Sequence, residues 1–269
     1  ELSRDLVLAL EQGELTVALT PERLAAAQAS GWLEGDASPL LLQGDRLGWR
    51  RWLQAMEQVV AELVERAHAP LPKPVEAADP ELSDRLNAEQ CAAVRALDEA
   101  SVVLLSGGPG TGKTSTVVEI LARAEARHPG LRIGLAAPTG KAARRLGEAV
   151  MAQRAPLPCN TLHRWLEAGS RGFGRHRQRP LELDLLVIDE MSMLDLALTQ
   201  ALLEALPSGC RLLLVGDPAQ LPPVGSGAVW HRLQQPDVRG RFGAGAVHLE
   251  RTYRNRGALA QVAQQLRQG

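Results

Sequence analysis

Aromatic residues and long apolar runs are scarce in this chain of 269 residues. Phe, Trp and Tyr together make up 3% of the sequence, so the hydrophobic core must be aliphatic, built on Leu, Val and Ala. There is no signal-peptide pattern and no apolar run of membrane-spanning length, which predicts a protein without membrane contact. The chain begins at Glu1 and not at Met, which we interpret as the mark of a fragment of a longer protein.

Neither charge nor cysteine dominates the composition. The formal net charge is −1, so the chain as a whole exerts no strong attraction on nucleic acid, and any nucleic-acid site must be a local patch. The cysteines, Cys91, Cys159 and Cys210, are widely spaced and lack the spacing of metal ligands. Reduced, buried thiols in a cytoplasmic protein are therefore expected.

Residues 1–68 are predicted to form a small α+β domain. Thr20-Pro21 has the pattern of a helix N-cap followed by a first-turn proline. Gly44-Asp45 separates two apolar runs and indicates a two-residue hairpin, and a helix with apolar residues at helical spacing follows. Three tryptophans lie in this segment: Trp32, Trp49 and Trp52. They are either the core of the small domain or exposed anchors for a partner protein.

The rest of the chain has the pattern of a second, larger domain. Residues 69–80 are rich in proline and predict an extended, semi-rigid linker. From 81 to 269, apolar strand candidates alternate with helical stretches, which predicts an α/β fold with a mainly parallel sheet and helices on both faces. The strand candidates are residues 102–105, 132–136, 184–188, 212–215 and 247–249. In such a sheet, ligands bind at the carboxyl ends of the strands.

Residues 107–114 read Gly-Gly-Pro-Gly-Thr-Gly-Lys-Thr, which fits the phosphate-loop pattern G-x-x-x-x-G-K-[ST] between a strand and a helix. The glycines let backbone N–H groups point at phosphate oxygens, and the positive end of the helix faces the same anion. Lys113 is predicted to reach the β- and γ-phosphates of ATP, and Thr114 to bind Mg²⁺. The predicted nucleotide-binding residues of this loop are Gly108, Pro109, Gly110, Thr111, Gly112, Lys113, Thr114 and Ser115. The alternative is a glycine-rich turn without a ligand.

Two further strands end in polar residues. The apolar run 185–188 ends in Asp189-Glu190, where Asp189 is predicted to hold Mg²⁺ and Glu190 to orient or deprotonate the attacking water. On its own such a pair is often just the exit of a strand. The run 212–215 ends in a polar turn that contains Gln220, which we predict contacts the γ-phosphate.

Together these motifs resemble those of the superfamily-one DNA helicases. More narrowly they resemble the RecD family, the 5′→3′ motor subunit of the RecBCD nuclease-helicase, and its stand-alone relatives. The segments that carry the resemblance, in order, are residues 86–90, 107–114, 137–143, 161–164, 189–193, 216–221 and 253–254. Residues 39–49 also look like the N-terminal domain of RecD. The resemblance implies a RecA-like P-loop NTPase domain.

The resemblance adds two residues to the nucleotide site. Gln90 matches the glutamine that contacts adenine, and an amide can both donate to and accept from the edge of that base. Gln90 also fits a capping box with Asn87, and the two roles are compatible. Arg254 matches the arginine that reaches the γ-phosphate, a task that suits a permanently charged guanidinium. The alternative is a surface arginine.

Two segments match those that touch single-stranded DNA in the family: Pro138, Thr139, Gly140 and Lys141, then Thr161, Leu162 and His163. Small residues at a helix start expose N–H groups to a phosphate, and hydroxyl groups add contacts. The stretch from Arg171 to Arg179 is basic and contains Phe173. It suits single-stranded nucleic acid, or else it is a solvated loop.

The resemblance also implies a second RecA-like domain, which this chain lacks. Since electrostatic catalysis of phosphoryl transfer needs charges from both sides, we expect the isolated chain to be at most a feeble ATPase. The expected partners are single-stranded DNA and RecB-like and RecC-like subunits. The alternatives are a stand-alone RecD-like helicase, a Pif1-like helicase, and a structural subunit that binds nucleotide without being a motor.

Overall fold

The computed structural model describes residues 2–35, 37–71 and 82–253. Most of the predicted linker at 69–80 lies outside these ranges, as do Arg254 and every residue after it. Within these ranges, no helix is both long enough and apolar enough to cross a membrane.

The N-terminal region contains a three-stranded antiparallel sheet in the order β1-β3-β2. Its elements are α1 (Leu2–Glu11), β1 (Thr16–Ala18), α2 (Pro21–Ala29), β2 (Leu40–Gln43), β3 (Arg46–Trp49) and α3 (Arg50–Ala67). The N-cap prediction is confirmed, because the Thr20 side chain accepts a hydrogen bond from the Arg23 N–H. The hairpin is confirmed as well: Gln43 pairs with Arg46, and Gly44 adopts a φ of +64°.

The small sheet and helix α3 bury their apolar residues in different places. Leu6, Leu40 and Leu47 form a small cluster with their neighbours. The apolar side of α3, including Val60 and Leu63, belongs to the core of the large sheet instead. The sequence, in which residues 1–68 have the pattern of a small domain, does not indicate that α3 packs in this way. The apolar stripe of α3 runs along a helix of 18 residues. The strands of the small sheet have only three or four residues each, so they are too short to cover it. The division of the chain at 69–80 stays a prediction.

The tryptophans follow the same division. Trp49 packs at the edge of the small cluster, whereas Trp52 packs against the core of the large sheet. Trp32 is 48% exposed, so among these three it is the one that offers an aromatic surface to a partner.

The larger part of the chain alternates strands and helices as predicted. Its first elements are α4 (Ala88–Glu99), β4 (Val102–Gly107), α5 (Lys113–Arg127), β5 (Ile133–Ala137), α6 (Gly140–Met151), β6 (Cys159–Thr161), α7 (Leu162–Trp165), β7 (Ala168–Gly169) and β8 (Gly172–Phe173). The remaining elements are β9 (Leu185–Ile188), a 3₁₀ turn (Met191–Met193), α8 (Leu196–Ala205), β10 (Arg211–Gly216), α9 (Val229–Gln234), α10 (Pro236–Arg239), a second 3₁₀ segment (Gly240–Gly245) and β11 (Ala246–Leu249).

Six of these strands form one sheet in the order β11-β4-β10-β9-β5-β6, and every pairing within it is parallel. Alternate residues of the strands point to opposite faces. Leu104 and Leu212 join the core under α3 and α8, while Val103 and Leu213 join the core under α4, α5 and α6. The predicted α/β fold, with a parallel sheet between two layers of helices, is confirmed.

Strand β6 is absent from the sequence-based prediction. It consists of Cys159, Asn160 and Thr161, so it has none of the apolar character that identifies the other strands. It forms at the sheet edge because its backbone pairs with β5, from Leu135↔Cys159 to Ala137↔Thr161. This pairing places the residues after β5 beside those after β6.

The three cysteines are free thiols, as expected, but they differ in burial. Cys210 is buried, and this burial raises the pKa of its thiol to about 12. Cys91 and Cys159 are only half-buried, so the expectation of fully buried thiols is wrong for these two. Cys159 is less enclosed because it lies on the edge strand β6, which has a neighbouring strand on one side only.

The turn after α1 is fastened to the loop that follows β10. The Ser226 hydroxyl donates to the Leu10 carbonyl at 2.8 Å, and the Gly227 N–H donates to the Gly13 carbonyl at 3.0 Å. Gly13 has a φ of +86°, and a Cβ placed on it would lie 3.0 Å from the Pro223 carbonyl oxygen. Only glycine fits both the conformation and the space at this contact.

Replacing Gly13 by Ala is expected to lower the free energy of unfolding by about 2 kcal/mol. The reason is that alanine is unfavourable in the left-handed conformation and that its methyl group would crowd the neighbouring backbone. Gly31→Ala is the matched control, because Gly31 has a φ of +74° but nothing within 4 Å of an added methyl group. Urea unfolding of both variants should show the larger loss for Gly13→Ala. Equal losses would mean that the contact with residues 223–227 contributes nothing.

Candidate functional site

The phosphate loop joins the buried strand β4 to helix α5. Gly110 and Gly112 adopt φ values of +79° and +87°, the left-handed conformation that favours glycine. A Cβ on Gly107 would lie 2.8 Å from the Thr111 hydroxyl and 2.9 Å from the Leu249 carbonyl oxygen. Glycine is therefore required where the strand ends, as well as inside the loop. The local structure is the strand–loop–helix unit that the motif predicts.

Lys113 lies at the first position of α5 and turns back over the loop. Its ammonium donates to the Gly107 carbonyl at 2.6 Å and to the Gly108 carbonyl at 2.9 Å. Thr111 is buried and donates to the Gly108 carbonyl, whereas Thr114 is exposed at the start of the helix. The remaining predicted loop residues, Pro109 and Ser115, are exposed as well. One positive charge and two exposed hydroxyl residues, Thr114 and Ser115, thus lie at the N-terminus of α5.

Asp189 and Glu190 follow β9, with β10 between that strand and β4. Burial, and next the charge of Glu190, raise the pKa of the Asp189 carboxyl, while Lys113 acts to lower it. The Glu190 N–H donates to the Asp189 Oδ1 atom at 2.9 Å. Because burial disfavours the ionised form of Asp189, a divalent cation beside it would stabilise that form.

Glu190 has an unusual backbone conformation, with φ 58° and ψ 42°. A left-handed non-glycine residue costs about 1 kcal/mol or more, and such strain persists where the surroundings hold it. Here the strain turns the chain sharply after Asp189 into the 3₁₀ turn Met191–Met193. Strained residues of this kind concentrate at functional sites, which supports a chemical role for Glu190.

The donor set fits Mg²⁺ held together with a nucleotide. Within the described ranges there is no group of three or more His, Cys, Asp or Glu placed to hold a metal ion. Mg²⁺ usually takes only one or two protein carboxylates and completes its shell with substrate phosphates and water. Asp189 and Thr114 are the residues that would hold it.

Gln220 lies on the exposed turn after β10. This turn is shaped by Asp217, whose Oδ1 accepts from the Ala219 N–H at 2.9 Å and whose carbonyl accepts from the Gln220 N–H at 3.3 Å. The Gln220 Oε1 accepts a hydrogen bond from the Ser192 hydroxyl at 2.8 Å. The side chain of the γ-phosphate candidate is therefore tied to the turn that carries the carboxylates. Ser192 lies in one of the sequence motifs, but no role for it follows from the sequence.

Gln90 caps helix α4 and also faces the phosphate loop. The capping box with Asn87 is present: the Gln90 N–H donates to the Asn87 Oδ1 at 2.8 Å, and the Asn87 N–H donates to the Gln90 Oε1 at 3.1 Å. The Gln90 Nε2 would be 2.7 Å from a Cβ placed on Gly112. The cap therefore fixes the Gln90 amide beside the loop, and both interpretations of this residue are compatible with the geometry.

Tyr253 contacts both the phosphate loop and the start of helix α4. Its N–H donates to the Gly110 carbonyl at 2.8 Å, and its hydroxyl accepts from the Asn87 Nδ2 at 2.9 Å. The Arg251 guanidinium lies 5.4 Å from the centre of its ring. The sequence marks Tyr253 only as part of a motif and not as a site residue, although it is the single tyrosine of the chain. The neighbouring candidate, Arg254, lies outside the described residues.

The two candidate DNA segments begin at neighbouring strand ends, since Ala137 pairs with Thr161. Thr139 is the N-cap of α6, and Thr161 is the N-cap of α7. Thr139, Gly140, Lys141 and His163 are exposed, and Pro138 and Thr161 are half-buried. Leu162 is fully buried in the core, so its side chain does not reach the surface, and the prediction of a DNA contact there is restricted to its backbone.

The basic stretch from 171 to 179 is partly neutralised within the chain. Arg175 and Arg179 both pair with Glu167, at 2.8 and 2.6 Å, and the hydrogen bond from Arg175 is the main reason why the pKa of Glu167 is lowered. Phe173, on the short hairpin β7–β8, is 38% exposed, with its ring centre 6.5 Å from that of His163. The loop thus has a defined shape, with an aromatic surface next to the second DNA candidate segment.

Comparison with known proteins agrees with these features. A family model described as an AAA domain matches residues 90–226. The RecBCD enzyme subunit RecD of Mycolicibacterium smegmatis is 37% identical over 93% of this chain and 48% of its own length. The ATP-dependent RecD2 DNA helicase of Deinococcus radiodurans is 46% identical over 53% of this chain and 19% of its own length. The chain thus spans about half the length, or less, of these curated relatives.

Among solved structures, the Pif1 helicase of Candida albicans is similar with a TM-score of 0.47 and 22% identity, over 67% of this chain and 43% of that one. The family model covers half of the sequence, including the phosphate loop, the two carboxylates and Gln220. The chain belongs to the AAA domain family, and its relatives at 37–46% identity are RecD proteins.

Proposed function

We propose that the chain is the N-terminal region and first motor domain of an ATP-driven 5′→3′ DNA helicase of the RecD type, which acts in double-strand break repair and recombination. The observation that carries this proposal is the convergence of four chemical groups at one edge of the parallel sheet. Lys113, Asp189, Glu190 and Gln220 all lie at or just beyond the carboxyl ends of β4, β9 and β10. This edge is where doubly wound α/β domains bind their ligands.

In this proposal each group has a distinct task in ATP hydrolysis. The N–H groups of the loop and the Lys113 ammonium bind the phosphates, and Gln90 and Tyr253 border the position of the base. Asp189 and Thr114 hold Mg²⁺, which neutralises phosphate charge when bound. Glu190 accepts a proton from the attacking water or orients it, and Gln220 contacts the γ-phosphate. Arg254 would add positive charge from the far edge of the domain.

The neighbouring strand ends supply the DNA contacts. Thr139, Gly140 and Lys141 at the start of α6 offer N–H groups, a hydroxyl and one positive charge to a phosphate. Thr161 and His163 lie beside them because β5 and β6 are paired. Phe173 would provide a surface on which a base can stack. The nucleotide and the single strand would thus contact adjacent loops of one sheet.

We favour a subunit of a RecBCD-like helicase-nuclease in the cytoplasm, with RecB-like and RecC-like partners. The support is the extent of similarity: the relative named as a RecBCD subunit matches 93% of the chain, including the N-terminal region. The relative named as a RecD2 helicase matches 53%. The half-exposed Trp32 offers an anchor for docking. A stand-alone RecD-like or Pif1-like helicase is the alternative.

A nucleotide-binding structural subunit is the second candidate. The polar groups described above count against it, because a subunit that only binds nucleotide needs neither a strained Glu190 nor an oriented Gln220.

Replacing Lys113 by Ala is expected to weaken binding of Mg²⁺–ATP by the chain at least about tenfold, since a charge-assisted contact with phosphate is lost. Lys141→Ala is the matched control: it removes the same side chain from the same edge of the sheet but outside the phosphate loop. Titration of the two variants with a fluorescent ATP analogue distinguishes them. If both bind like the wild type, the phosphate site is not at residues 107–114.

The helicase proposal is tested with the full-length protein that contains this chain. Purified alone, and then with its co-purified partners, it is assayed for ATP-dependent unwinding of duplexes with either a 5′ or a 3′ single-stranded tail. We expect unwinding of the 5′-tailed duplex once the partners are present, and its loss in Lys113→Ala. Unwinding without partners would indicate a stand-alone helicase. Partner binding that survives Lys113→Ala, with no unwinding by the wild type, would indicate a structural subunit.

A further inference from the structure

Ser192 is a fully buried serine on the turn that follows the two carboxylates. The turn is tight, because the Met193 N–H donates to the Glu190 carbonyl at 3.0 Å and the Leu194 N–H donates to the Met191 carbonyl at 3.1 Å. The Ser192 hydroxyl leaves this turn towards the loop after β10, where its Oγ lies 2.8 Å from the Gln220 Oε1. The buried side chain of Ser192 thus forms a hydrogen bond with the exposed side chain of Gln220, which belongs to another motif.

Gln220 needs such support because of where it lies. Its loop is exposed, and neighbouring Leu221 and Val224 are 86% and 96% exposed. A long polar side chain in this setting samples several rotamers, and fixing it for one contact costs conformational entropy. A hydrogen bond from a fully buried serine reduces this cost before the nucleotide arrives.

In the structure this bond occupies the oxygen end of the Gln220 amide and leaves its nitrogen end available. A glutamine amide has an acceptor oxygen and a donor nitrogen with two hydrogens. When the Oε1 accepts from Ser192, the Nε2 hydrogens remain available to another acceptor. Phosphate oxygens are acceptors, so this orientation suits a γ-phosphate contact, and the reversed orientation would place oxygen against oxygen.

We infer that Ser192 is a positioning residue that orients Gln220 for the γ-phosphate; this inference rests on the proposed function. Ser192 does not touch the nucleotide. It acts through Gln220 and couples that residue to the turn that begins at Glu190. A second bond joins the chain just beyond each of these segments, since the Leu196 N–H donates to the Ser226 carbonyl at 3.1 Å. The groups for water activation and for γ-phosphate contact therefore belong to one connected unit.

The test compares two nucleotides that differ at the γ-phosphate. The chain is titrated, in the presence of Mg²⁺, with ADP and with a non-hydrolysable ATP analogue, adenylyl imidodiphosphate. The variants are Ser192→Ala, Gln220→Ala and the double substitution. Ser101→Ala is the matched control, since Ser101 is also a buried serine but lies at the opposite, amino end of β4.

We expect Ser192→Ala to weaken binding of the ATP analogue by about two- to tenfold, the size of one hydrogen bond, while ADP binding is unchanged. Gln220→Ala should have a similar effect, and the double variant should be no worse than Gln220→Ala alone, because the two residues act as a unit. Ser101→Ala should leave the ratio of the two affinities as in the wild type.

Three results would overturn the inference: an unchanged affinity ratio in Ser192→Ala, an equal loss for ADP and the analogue, or losses that add in the double variant. If Ser192→Ala does not fold, the near-isosteric Ser192→Cys replaces it, and its weakly donating thiol should give the same selective loss. Failure of the proposed function looks different, because the wild type would then bind neither nucleotide, or Lys113→Ala would bind both normally.

Discussion

Parallel pairing of the six strands is the constraint on which the rest of the structure depends. Because all six run in the same direction, the residues that follow β4, β5, β6, β9 and β10 emerge at one edge of the sheet. The ends of β4 and β10, at Gly107 and Gly216, are thereby neighbours although they are far apart along the chain. Two largely aliphatic layers of side chains cover the sheet and hold this arrangement, and Trp230 and Phe242 are buried in one of them. The polar edge is thus a consequence of the apolar core.

Two residues at this edge have a conformation or an environment that is unfavourable by itself. Glu190 is left-handed without being glycine, and Asp189 is a carboxyl group whose pKa is raised by burial. Neither feature stabilises the fold of the chain by itself. A bound cation would stabilise the ionised form of Asp189, and strained or perturbed residues of this kind concentrate at functional sites.

Much of this could be predicted from the sequence, because apolar runs that end in polar residues identify buried parallel strands and their exits. The phosphate loop, the five apolar strands and the cap of α4 follow from local patterns. The packing of α3 on the large sheet and the pairing of β6 depend on partners that are distant in sequence, and local patterns do not record them. The same holds for Ser192 and Tyr253, whose positions become informative only when Gln220 and Gly110 are seen beside them.

The most direct test of the account is a crystal structure of the chain with Mg²⁺ and a non-hydrolysable ATP analogue. We expect the phosphates on the loop at 107–114, the metal ion between Thr114 and Asp189, and the Gln220 amide nitrogen facing the γ-phosphate. A nucleotide bound elsewhere, or bound here with Asp189 and Gln220 turned away from it, would contradict the claim that these strand ends form one ATP site.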